Sequence, residues 1–250
     1  MTTPQAPHPV DAALLALLHQ PLPADIADAI ARMRAVEAII GPDDGLYPFT
    51  VLYRQTTEAV GAKAATHWED PEALVRLDVH FAELFFEAVR RWLGPTPEAA
   101  PRAWKGLFRM RHAAPGPSRL RRALAGMNAH INRDLGVALT RVWQELGRPS
   151  DDDTPMHRDF LRVNALLAET EPQAKDTLFE GWLRDLDGAL GEYDDLAALW
   201  AIARARDFAW QNGQAQWALR SVPPLRDALV HQTDQMTSAL GGFILRAPGV

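Results

Sequence analysis

The chain contains no cysteine. That absence removes disulfides, thiolate zinc sites and cysteine nucleophiles together, and it suits a reducing, cytoplasmic compartment. Long apolar runs are missing as well. Charged residues interrupt every hydrophobic stretch well short of the roughly 20 residues a membrane helix needs, so no membrane partner is expected. The start of the chain, Met1 to Val10, is polar and proline-rich without the apolar segment of a signal peptide. Basic charge is also in short supply. A net charge of −6 argues against a nucleic-acid partner, which needs a basic face. The local cluster Arg119, Arg121 and Arg122 stands at a helix start and reads as a solvated face. No glycine-rich phosphate loop, nucleophile elbow or His-Glu-x-x-His zinc motif occurs.

Helical periodicity is what the chain does have. Apolar residues recur at three- and four-residue spacing, and no alternating strand pattern, repeat or low-complexity segment is found. With 250 residues and 47% hydrophobic content, the chain is long enough to bury a sizeable core. The expectation is one all-α domain over residues 1–250, a multi-helix bundle, with 1–22 flexible or peripheral and 241–250 a tail. Heavy use of Ala, Arg, Pro and Leu suggests a bacterial source. Helices are expected at about 10–19, 24–40, 48–65, 71–93, 102–111, 155–170, 172–190, 193–219 and 223–245. The longest, 118–147, opens at the cap Ser118, ends at Gly147 and is expected to be the buried centre.

Polar residues on the apolar faces of these helices are the candidates for function. Asn and Asp are mediocre helix formers and costly to bury without partners, yet Asn128, His130, Asn132 and Asp134 fall together in the central helix. On a helical wheel, His130 and Asp134 share one border of the apolar stripe, and Asn128 and Asn132 share the other. The His–Asp spacing lets a carboxylate orient an imidazole and raise its basicity, which suits a general base and equally suits a buried packing pair. On 71–93, His80, Glu83 and Glu87 lie opposite the core face and read as a salt-bridged surface. Asp78 lies within the apolar arc and needs a partner or a raised pKa. Arg206 sits in the middle of the stripe formed by Ile202, Trp210, Gly213 and Trp217. Its proposed partner is Asp78 or Asp134. Tyr53, Phe81, Phe85, Trp200, Trp210 and Trp217 are candidates to line a cavity, and equally fit plain core packing. Asp159, Arg162 and Asn164 form a further polar group of unassigned role.

Leu77-Asp78 with Phe81, the run from Ala125 to Leu135, and Asp159-Phe160 with Val163-Asn164 together resemble a bacterial family of unknown function, numbered 5995. The similarity spans about residues 30–210, and Asn-Ala-His-Ile-Asn-x-Asp-Leu is its most specific element. The resemblance implies a helical fold with the Asn/His/Asp core as its hallmark, and brings no activity with it.

The leading expectation is a small-molecule enzyme performing a cyclisation, elimination or hydrolysis. His130, Asp134 and Asp78 would be catalytic, and Arg206, Asn128, Asn132, Tyr53 and Trp210 would bind the substrate. No cofactor is called for. The alternatives are a metal-dependent enzyme, with a divalent ion on His130, Asp134 and Asp78 (or with His80 or His157), and a non-catalytic helical binding or scaffold protein. The sequence leaves the oligomeric state open.

Overall fold

The computed structural model describes residues 9–63, 68–179 and 192–246, with side-chain placement described for 9–62, 68–167 and 202–246. Within them the fold is all-α. Helices α1 (Pro9–Leu18), α2 (Ile26–Ile40), α3 (Tyr47–Lys63) and α4 (Pro71–Leu93) come first, then a 3₁₀ turn at Pro97–Ala99 and α5 (Arg102–Arg109). Next come α6 (Arg119–Ala129), a π-helical turn at His130–Asp134 and α7 (Leu135–Leu146). Helices α8 (Pro155–Phe179), α9 (Glu192–Ala218) and α10 (Pro223–Arg246) complete the set. Among the described residues no helix is long and apolar enough to cross a membrane.

Local chemistry accounts for most boundaries. Asp25 caps α2 by accepting from the Asp28 N–H, and Asp70 caps α4, where Pro71 takes the first position that needs no donor. Gly147 ends α7 in the left-handed conformation that favours glycine. Two helices expected on either side of Pro172 run as a single one, α8, to Phe179. The expected end of that region near 190, and the side chain of Trp200, lie outside the described residues.

Helix α4 is buried almost all round its middle, with Val79 and Phe86 covered as fully as Leu77, Leu84 and Phe85. It is a second central element beside the expected one. Helix α1 is docked, not loose: Leu14 and Leu18 are in the core and Asp11 meets Arg111 at 2.9 Å. Helix α10 runs to Arg246, through the first part of the expected tail.

The expected central helix 118–147 is interrupted. At His130–Asp134 the Leu135 N–H donates to the His130 carbonyl, five residues back, so one extra residue enters the turn. That shifts α7 about 100° around the axis relative to an unbroken helix. Each half then buries its own face. In α7 it is Leu135, Ala138, Leu139, Val142 and Trp143, and in α6 it is the small residues Ala123, Ala125, Gly126 and Ala129. Leu124, on the outer side of α6, is exposed.

Candidate functional site

The π turn places His130 and Asp134 at the centre of the molecule. The His130 ring is 2% exposed and lies parallel to Phe81, with ring centroids 3.4 Å apart. Tyr53 closes on it edge-on at 4.4 Å, and Phe49, Trp104 and Phe85 complete an aromatic cage at 5.6, 5.9 and 6.3 Å. The elements that build the cage are α3, α4 and α5, each presenting aromatics from its buried face.

Asp134, fully buried, accepts three hydrogen bonds. Trp104 Nε1 donates to Oδ2 at 2.9 Å, Arg133 Nη1 to Oδ1 at 2.6 Å, and His130 Nδ1 lies 3.2 Å from Oδ2. Burial alone would raise the Asp134 carboxyl, but Arg133 and His130 outweigh it and hold it below the usual carboxylate range. An ionised carboxylate only accepts, so His130 Nδ1 carries the proton and Nε2 presents its lone pair. Burial lowers the imidazole pKa, with Asp134 offsetting part of the shift, so the neutral form is favoured. Nε2 is buried and has no hydrogen-bond partner.

Two neighbouring groups share that condition. Tyr53 Oη is buried without a hydrogen-bond partner of normal geometry. Burial, Asp78 and Asp134 drive its pKa well up, against a smaller opposite effect of Thr57, so the phenol keeps its proton. Asp78 Oδ2 is likewise buried and unpartnered, and burial pushes the carboxyl up to about 7, with the charge of Arg206 offsetting only part of it.

The expected ion pair of Arg206 with Asp78 or Asp134 does not form. Arg206 Nε donates to Asn164 Oδ1 at 2.6 Å, Nη2 donates to the Phe160 carbonyl at 2.9 Å, and the guanidinium stacks on the Phe160 ring at 4.2 Å. These partners are neutral, and the Asp78 charge reaches Arg206 only through space. Burial consequently lowers the Arg206 pKa to about 10, with Asp78 and Asp207 opposing.

The two asparagines are hydrogen-bonded to each other and to α10. Asn132 Nδ2 donates to Asn128 Oδ1 at 3.0 Å, and Asn128 Nδ2 donates to the Thr237 carbonyl of α10 at 2.9 Å. Trp210 is core, with Nε1 donating to Asp152 at 2.9 Å. Asp159 accepts from the Glu69 and Asp70 N–H groups and so holds the start of α4. His80 and Glu83 are not the expected solvated face. They form a half-buried seam between α4 and α7, where His80 bridges Glu83 and Glu145 at 3.0 and 2.6 Å. Among the described residues, no three His, Asp or Glu side chains are grouped to hold one metal ion.

Sequence reasoning missed the residues that finish the site. Trp104 and Arg133 both bind Asp134. A buried ion pair, Arg111 with Asp44 at 2.6 Å, fixes the turn before α3. Arg133 had the better signal, since it stands inside the motif itself. A cavity of about 480 Å³ opens beside Arg133, and neither His130 nor the Asn pair is among its lining residues.

Residues 26–247 match the model of the family of unknown function DUF5995, and the chain belongs to that family. No curated protein and no solved structure matches it.

Proposed function

We propose that this protein is a small-molecule enzyme in which His130 transfers a proton as general base, then acid, oriented by Asp134. The observation that carries the proposal is the state of the imidazole: Nδ1 is spent on Asp134, while Nε2 is neutral, buried and without a partner. A buried acceptor left unmade costs about 1–3 kcal/mol, a cost that a substrate proton would relieve. Asp78, whose charge acts on Tyr53 of the cage, is the candidate for the complementary acid. Its carboxyl, pushed up to about 7, holds a proton at the pH where His130 is free to take one. The aromatic cage matches an apolar substrate and proton-transfer chemistry such as cyclisation, elimination or hydrolysis. On this reading Asn128, Asn132 and Arg206 position helices and do not touch substrate. A cytoplasmic, bacterial setting agrees with the composition.

The test is to follow small-molecule turnover of a native extract by mass spectrometry, comparing wild type with His130→Gln. Loss of the base should slow the consumption of any substrate by about 10²–10⁴. Equal consumption by a folded variant would remove His130 from the chemistry.

The second reading is a non-catalytic helical binding or scaffold protein. It is favoured by the near-complete enclosure of His130 and by the hydrogen bonds that tie the Asn pair to α10. Acylation by diethyl pyrocarbonate separates the two: a substrate-accessible Nε2 reacts in the folded protein, and a sealed packing histidine does not.

A further inference from the structure

The cavity beside Arg133 has a composition of its own. It lies where α4, α7, α9 and α10 meet, and four arginines line it: Arg91, Arg133, Arg141 and Arg226. Glu87 and Asp227 are the acidic residues in its lining, so the lining carries a net charge of +2, four positive less two negative. The whole chain carries −6. A concentration of positive charge in an acidic protein is a local feature that bulk composition does not explain.

Three of these arginines are loosely held, while Arg91 is paired with Glu87 at 2.6 Å. Arg133 gives Nη1 to Asp134, but its Nε is buried, makes no hydrogen bond, and has Asp234 only at 4.0 Å. Arg141 stands 3.6 Å from both Glu83 and Glu87, beyond hydrogen-bond range. Arg226 pairs with its own neighbour Asp227 in a solvent-exposed contact of the kind that contributes little. A guanidinium fork matches a carboxylate or phosphate in two parallel hydrogen bonds, and an ammonium does not. The same wall offers Leu84, Ala88, Val137 and Val230 to the carbon part of a ligand, with Thr140 and Gln216 beside them. The volume falls in the range of small-molecule sites and is far too small for a nucleic acid or a folded partner.

We propose that this cavity binds a small organic molecule through a carboxylate or phosphate group held by Arg133, Arg141 and Arg226. The site goes beyond the acid/base reading and stands without it, since its ligand need not touch His130. It joins that centre through one residue: Arg133 faces the cavity and grips Asp134 from behind.

Calorimetric titration of the full-length protein with inorganic phosphate, succinate and the uncharged succinamide tests the proposal. Saturable one-to-one binding of phosphate or succinate, with none of succinamide, is expected, and the better oxyanion identifies the headgroup. Arg141→Gln and Arg226→Gln should each weaken that binding about tenfold, as loss of one charged hydrogen bond does. Both side chains are partly exposed, so circular dichroism should show the variants folded; Arg133→Gln, which uncovers Asp134, is the harsher variant. The readout is binding and not turnover, so failure of the acid/base reading leaves this result standing. The proposal is overturned if neither oxyanion saturates below roughly 10 mM. It is also overturned if succinamide binds equally, or if both arginine variants match wild type.

Discussion

At the residue scale, the decisive fact about His130 is which of its nitrogens is free. Asp134 takes Nδ1, and Asp134 stays ionised because Trp104 and Arg133 share its oxygens. Asp78 is the opposite case, a carboxyl with a charge nearby but no hydrogen bond, and so it carries a cost that depends on pH. Its pKa rises from 3.8 to about 7 on folding, so the folded state binds the proton more tightly than the unfolded state between those values. Stability is therefore highest below the unfolded pKa and is lost as pH rises through the folded one. Asp78→Asn removes the titration. The variant should be more stable than wild type, and its advantage should grow by about 2.5 kcal/mol between pH 5 and pH 8. Urea unfolding at the two pH values checks this, and an advantage that is constant or shrinks would show that Asp78 is paired.

At the element scale, the interrupted central helix explains why one motif serves two purposes. Both four-residue pairs form, His130 with Asp134 and Asn132 with Asn128, and the π turn redirects α7 so that each half packs on its own neighbours. Small residues let α6 come close. A Cβ on Gly126 would lie 2.4 Å from the Phe49 ring, which belongs to the His130 cage. Helix propensity alone makes Gly126→Ala favourable by about 1 kcal/mol. Overpacking should reverse the sign, for a net loss of about 1–3 kcal/mol in thermal or chemical unfolding. A stabilised variant would mean that Phe49 moves aside freely. Two carboxylates also cap helices other than their own: Asp159 holds the start of α4, and Asp234 of α10 accepts from the Arg102 and Ala103 N–H groups of α5. Negative charge at a helix N-terminus is favourable wherever in the chain it comes from.

At the scale of the whole molecule, long-range polar contacts tie the layers together. Arg111, 2% exposed, meets both Asp44 and Asp11 and so fastens α1 and the turn before α3 to the end of α5. Removing it leaves Asp44 buried without its counter-charge. Arg111→Ala should therefore cost about 3–5 kcal/mol, measured by urea denaturation, a loss far above that of a surface arginine. A loss below about 1 kcal/mol would place Arg111 among the exposed pairs.

Local pattern determined the helices, their caps and the two four-residue pairs, because periodicity, propensity and i,i+4 reach are properties of neighbouring residues. It also singled out Asp78 and Arg206 as polar residues on apolar faces, since a wheel shows which face a residue is on. What a wheel cannot show is what stands opposite. Arg206 went to Asn164 and a carbonyl, His80 to Glu145, and Asp134 to Trp104, all partners at least 30 positions away in sequence. The cage that leaves His130 Nε2 bare, and the arginine-lined cavity beside it, exist only where separate helices meet. Those features were decided by tertiary packing, because the free energy of a buried charge depends on every group around it and not on its place in the chain.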